Sequence, residues 1–456
     1  MTAYRHPLST NFVYYIIAAL LAILSPYLTI IDYKVPAIIF IGCMLFFSML
    51  IIINNNFYYI FIFIIIANPF ISFIVRLSNN DSSLVKFGVQ VVMGSFIVIP
   101  FFATITKRFN FYHAILKRDY IFIFMLAYLF ANILSFLVNP VMKLSTSAIF
   151  IYRFFVLICI YILSIVEFNN QKKIDYLLFG IIYSVISLNL LGIYQISNGI
   201  FNTDRHVKAV FSAFSHPNMY GNYIIIANVI CLFLIKTTRS VVLKFFLYIL
   251  LASNGYLISQ TYSRTAIVIF LLVTLCWVIQ NRTFFILPYL LILCLLILFY
   301  FPDIVNYWTI RFNTLFKINK YALDSTEFTS GRNLIFSKLI ELFFKNPILG
   351  IGPQVFYPYY CSYAMPHNEL LRNLAEVGSF GTINFVLYWG SMVKMVTMEY
   401  FKTKDAFPLM AIYILFVIFT INLTSNSGTT PEIVWPMMMV VGAVRNLNKK
   451  NLTVNA

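Results

Sequence analysis

Between residues 12 and 446 the chain returns repeatedly to apolar runs of about 20 residues, and that repetition constrains the fold more than any other feature. A helix rises 1.5 Å per residue, so about 20 apolar residues cross a hydrocarbon core about 30 Å thick. Such runs fall at 12–31, 35–53, 57–75, 84–105, 119–138, 147–166, 174–195, 220–236, 241–259, 265–280, 284–301, 374–395, 407–423 and 431–446. They predict about 14 transmembrane helices. Composition agrees: 61% of residues are hydrophobic and 10% charged, where soluble domains carry about a quarter charged. Lipid offers no hydrogen bonds to an open strand edge, so each run must satisfy its own backbone as a helix. The expected fold class is an all-α polytopic membrane protein. The first run is too long, and lacks the small-residue cleavage site, for a removable signal.

The basic residues orient these spans. With the N-terminus inside, the inner loops hold Lys107, Arg108, Lys117, Arg118, Lys172, Lys173, Lys236, Arg239, Lys244, Arg282, Lys402 and Lys404, and the C-terminal tail adds Arg445, Lys449 and Lys450. The short outer loops are poorer in Lys and Arg, which is the positive-inside pattern with both ends cytoplasmic. Three regions follow: 1–301, spans with short loops; 302–366, one large outer loop with an amphipathic helix; and 367–456, C-terminal spans and tail. The net charge of +17 would suit nucleic acid, but its residues are mostly inner-loop anchors at a lipid surface, so no nucleic-acid partner is expected. Cys361 is alone in the outer loops, which gives no disulfide framework. No Cys/His cluster suggests a metal.

Chemistry-bearing residues gather on the outer side. His367 and Asn368 follow Pro366 at the mouth of a span, and histidine is the side chain that exchanges a proton near neutral pH. Arg372 lies one helical turn beyond Asn368, on the same face. Arg264, in S-Q-T-Y-S-R-T-A, suits bidentate contact with phosphate oxygens or interfacial anchoring. Arg332 follows Ser330-Gly331 in the first turn of a helix expected over 329–344 and stopped by Asn346-Pro347, where free N–H groups and a guanidinium could together hold an anion. Arg205 and Lys208 sit in the outer loop 196–219, unusual there unless they bind something anionic. His216, before Pro217 and Asn218, reads as a helix-entry cap. Arg153, inside a span, is a functional candidate by default or a side chain that snorkels to the interface. A base and several guanidinium groups at a lipid–water boundary suit transfer of a group from a lipid pyrophosphate to a hydroxyl. The outer loops contain no carboxylate pair of the kind that holds a divalent cation, so a metal-independent reaction without cofactors is expected.

The signature H-N-x9-G-x-x-G-T, met by His367, Asn368, Gly378, Gly381 and Thr382, resembles that of the O-antigen ligase and polymerase superfamily. Three further segments resemble its pattern in the same order: Arg205 to Asn218 (R-x10-H-P-N), T-x-S-R-T-A around Arg264, and G-R-x-x-I-F followed by N-P-I-L-G-I-G from Arg332 to Gly352. Together they cover about residues 200–390. The resemblance implies a GT-C-like membrane glycosyltransferase of bacterial surface polysaccharide synthesis, in the inner membrane of a Gram-negative host with its active site on the periplasmic side. It implies an undecaprenyl-pyrophosphate-linked glycan as donor and a lipid-linked repeat unit as acceptor, with a chain-length regulator as a further candidate partner. By carry-over, His367 is the base, Arg264 and Arg332 hold the donor pyrophosphate, and Arg205 assists. The H-P-N segment favours a polymerase, which extends a lipid-linked repeat unit, over a ligase, which delivers polymer to lipid A core. A flippase or other transporter also fits the span number, but the long outer loop and the scarcity of charge within the spans argue against it.

Overall fold

The computed structural model describes residues 58–77, 91, 94–102, 104–105, 119–139, 144–201, 209–214, 216–282, 332–356, 360, 368–424 and 430–454. Every regular element among them is a helix. In chain order the principal ones are α1 (Tyr58–Leu77), α2 (Tyr120–Val138), α3 (Leu144–Glu167), α4 (Gln171–Ser197), α5 (Pro217–Thr237), α6 (Val241–Gln260), α7 (Arg264–Asn281), α8 (Arg332–Lys345), α9 (Glu369–Thr403), α10 (Ala406–Thr424) and α11 (Pro431–Val454). Among the described residues, six helical stretches are long and apolar enough to cross a bilayer: α2, Ser147–Glu167 of α3, α4, α5, α6 and α10. The runs expected at 12–31, 35–53 and 284–301 lie outside the described residues.

Burial ranks the helices from centre to rim. In α5, 89% of the apolar window is buried, against 33% in α2 and 39% in α6, so α5 is central while α2 and α6 turn broad faces outward. A polar chain crosses this interior. The Tyr220 hydroxyl donates to Asn189 Oδ1 at 3.0 Å, Asn189 Nδ2 to Asn254 Oδ1 at 2.5 Å, and Asn254 Nδ2 to Asn228 Oδ1 at 2.8 Å. It ties α4, α5 and α6 where packing alone carries no hydrophobic driving force in lipid.

Cross-helix contacts divide the described residues between two ends of the bundle. At one end Asp119 meets Arg445, Glu167 meets Lys173, and Tyr413 meets Gln280. At the other, Asn139 meets Gly350, Ser147 meets Pro353, Val210 meets Gln260, and Arg372 lies over Phe150. The short connections 168–170, 238–240 and 261–263 make α3 to α7 run alternately up and down. Lys172, Lys173, Lys236, Arg239, Arg282, Lys402 and Lys404 thereby share the first end. The α4–α5 and α6–α7 connections and the start of α9 share the second.

Candidate functional site

The sequence segments singled out above come together in two packed pairs at the second end. In the first pair, α5 begins at Pro217 behind an N-cap, His216, whose Nδ1 accepts from the Asn218 N–H at 3.1 Å. This is the capping role expected from the proline. One turn later Gly221 allows α5 to touch the start of α7: a Cβ there would sit 2.9 Å from Ala266 Cβ and 3.4 Å from Thr261 Oγ1. The α6–α7 turn is tight, with Tyr262 at φ 52 and Ser263 capping α7 by accepting from the Ala266 N–H at 3.4 Å. Arg264 is the first residue of that helix and is half-buried. The preceding loop is held by Gln195, whose amide exchanges two hydrogen bonds with the Ser212 backbone at 2.8 and 2.9 Å, and by Val210 N–H donating to Gln260 O at 3.0 Å. Arg205, in that loop, lies outside the described residues.

The second pair joins N-P-I-L-G-I-G to the helix that follows Asn368. α9 is two helical segments broken at Gly378, whose φ of 64 and ψ of −168 only glycine accepts comfortably. A break exposes N–H groups on one side and carbonyls on the other, and residues 347–352 supply partners for both. Ser379 and Phe380 N–H donate to the Pro347 and Ile348 carbonyls at 2.8 and 3.2 Å, while Ile351 and Gly352 N–H donate to the Ala375 and Glu376 carbonyls at 2.9 and 2.7 Å. The approach is so close that a Cβ on Gly378 would lie 2.3 Å from Ile348 O, and one on Gly350 (φ +68) would lie 2.4 Å from the Glu376 carbonyl carbon. Thr382 Oγ1 donates to Gly378 O at 2.8 Å. Gly378 and Thr382 of the signature, with Gly350 of the preceding segment, thus have a structural meaning: they build a backbone splice.

The splice fixes helix α8, which begins at Arg332 and stops before Asn346, close to the helix expected at 329–344. Its Ile335, Leu339 and Leu342 pack with Ile351, Val355, Phe356, Leu371 and Ala375. The helix that starts at Arg332 is therefore anchored to the one that starts after Asn368. Asn368 is the N-cap of α9, its Oδ1 accepting from the Leu371 N–H at 3.0 Å. His367, immediately before it, lies outside the described residues, and Arg332 is described by its backbone alone. Arg372 does not face open space. It is 3% exposed, donates through Nη2 to Glu369, and lies 3.6 Å from the Glu376 carboxylate through Nε.

Sequence reading gave Glu369 and Glu376 no role. Their spacing was a usable signal, because positions i, i+3 and i+7 share one helix face and here place two carboxylates around one guanidinium. Both are buried, at 1% and 3% exposure. Arg153 lines a shallow crevice between α3 and α11 with Phe150, Phe154, Leu157, Pro431, Val434 and Trp435. Glu432, in the first turn of α11, is a charge near enough to interact with it. Among the described residues no His/Cys/Asp/Glu group is arranged to hold a metal ion.

No curated protein matches the chain. A family model does: it begins within α6, runs through Arg264 and Arg332, and ends at Val386, beyond the Gly378 splice, so that it takes in both halves of the second pair and the Arg264 turn of the first. Over residues 246–386 the chain matches the family described as O-antigen ligase.

Proposed function

We propose that the protein is an O-antigen polymerase, a membrane glycosyltransferase that moves a growing surface glycan from undecaprenyl pyrophosphate to a hydroxyl of a lipid-linked repeat unit. The observation that carries this reading is the family match over the stretch in which Arg264, the Arg332 helix and the His367-Asn368 step lie. In this reading His367 takes the proton of the acceptor hydroxyl as its oxygen bonds to the anomeric carbon. The bond from that carbon to the pyrophosphate breaks, and its electron pair leaves on the lipid carrier, with inversion. Arg264 and Arg332 stabilise the charge that develops there, and Arg205 assists. Guanidinium groups and the free N–H groups of the first turn of α8 can supply that stabilisation without a metal. Asn368 and Arg372 serve the same site from within the protein, as helix cap and as buried cation. The clustering of Lys and Arg at the opposite end supports a periplasmic site, since cytoplasmic loops carry the basic excess.

A ligase is the second reading, because the matched family is described as O-antigen ligase. Purified protein supplied with lipid-linked repeat units as its only substrates separates the two. A ladder of products establishes the polymerase. No ladder, with transfer only when lipid A core is added, establishes the ligase. Movement of the lipid-linked sugar across a vesicle without any new glycosidic bond would overturn both in favour of a transporter.

A further inference from the structure

We propose that Glu376, acting with Arg372 and Glu369, is a positioning unit for glycosyl transfer, holding the Arg332 helix and the start of α9 in one rigid frame. The inference rests on the glycosyltransferase reading above. Among the described residues of the splice, Glu376 binds through both backbone and side chain. Its carbonyl accepts from Gly352 N–H at 2.7 Å and from the Ser135 hydroxyl of α2 at 2.8 Å. Its Oε1 accepts from Phe356 N–H at 3.2 Å, and its Oε2 lies 3.6 Å from Arg372 Nε. Three pieces of chain therefore converge on it two residues before the Gly378 break. Arg372 carries the connection up the first segment of α9 to Glu369, next to the cap Asn368, and its guanidinium lies 5.6 Å over the Phe150 ring of α3.

A buried ion cluster is a poor way to gain stability, because apolar groups of the same shape often hold a fold better. Here one guanidinium, Arg372, is held between two buried carboxylates, Glu369 and Glu376, with Asn373 beside Glu369. Buried charges kept at that cost point to a function beyond stability. Their place in the fold names that function, for the cluster lies between the backbone splice and the residue that follows His367. A group held within a fraction of an ångström matters for the transfer step, and a misplacement of about 1 Å can cost about 100-fold in rate.

The test compares Glu376→Gln with the neutral triple variant E369Q/R372M/E376Q, which removes the charges together and leaves none unpaired. Purified proteins are assayed with lipid-linked repeat units for melting temperature, kcat and donor KM. The expected result is a triple variant that melts near the parent, with kcat down about 10- to 100-fold and donor KM within about twofold. Glu376→Gln keeps an acceptor for Phe356 N–H and should lose less kcat, again at unchanged KM. Parental kcat in either variant would overturn the proposal, as the cluster would then be structural only. A donor KM raised about tenfold with kcat retained would overturn it differently, placing Arg372 on the donor itself. If the parent makes no glycosidic bond from these substrates, the glycosyltransferase reading fails instead, and the two failures are distinct.

Discussion

The bundle buries an ion cluster at each end, and the two are built to different standards. At the basic end Asp119 is fully employed: Oδ1 caps α2 by accepting from Ile121 and Phe122 N–H at 3.0 and 3.3 Å, while Oδ2 accepts from the Tyr161 hydroxyl at 3.0 Å and from Arg445 Nε at 3.1 Å. One carboxylate meets one guanidinium, and helices α2, α3 and α11 are stapled. At the other end one guanidinium is shared by Glu369 and Glu376, two carboxylates for one cation. A saturated cluster is what a fold needs at a helix junction. A shared cation between two buried carboxylates is a costlier arrangement, and it sits here against a broken helix and the residues that lead into it.

The largest effect that would break this comparison is at the splice itself. Gly378→Ala would put a Cβ 2.3 Å from Ile348 O at a φ of +64, so backbone must move on both sides. We expect a loss of about 4 kcal/mol or more, seen as absence of a monodisperse folded species in detergent. A stable Gly378→Ala protein would show that the splice is not the rigid part of this end. At the basic end, Arg445→Met should cost about 1–3 kcal/mol by leaving Asp119 short of its cation, read as a lower melting temperature with kcat unchanged for the folded fraction. A fall in kcat there would erase the distinction between the two ends.

The smallest effect is expected on the outer face of α8. Lys345 and then Lys338 hold the exposed Glu341 carboxyl down at about 2 through contacts of 2.6 and 2.9 Å. A depressed carboxylate contributes above its usual pKa and loses that contribution as pH falls toward about 2. Exposure and salt reduce it to little, so Glu341→Gln should leave melting and activity unchanged at neutral pH. A clear loss would make this charge ladder part of the site.

Much of the fold was legible because a membrane span declares itself locally. The runs expected at 119–138 and 220–236 correspond to Tyr120–Val138 and Pro217–Thr237, and Pro217 announced its own cap at His216. The run expected at 374–395 is the core of a longer helix, Glu369–Thr403, because its charged ends stay helical beyond the apolar stretch. The break at Gly378 was not legible. It depends on Gly350, 28 positions earlier in the chain, and no local pattern reveals which backbone will approach a glycine. Asn368 and Arg372 were expected to share one face, since one turn separates them. What the sequence did not reveal is that Arg372 meets Glu369 and Glu376 on that face and that Asn368 caps the helix.

The most direct test of the account is His367→Ala in purified protein given lipid-linked repeat units, with folding checked by its melting temperature. The account predicts a folded protein that leaves the repeat units unjoined, with a rate lowered at least about 100-fold, as expected when a general base is removed. An unchanged ladder of products from a folded His367→Ala protein would contradict it.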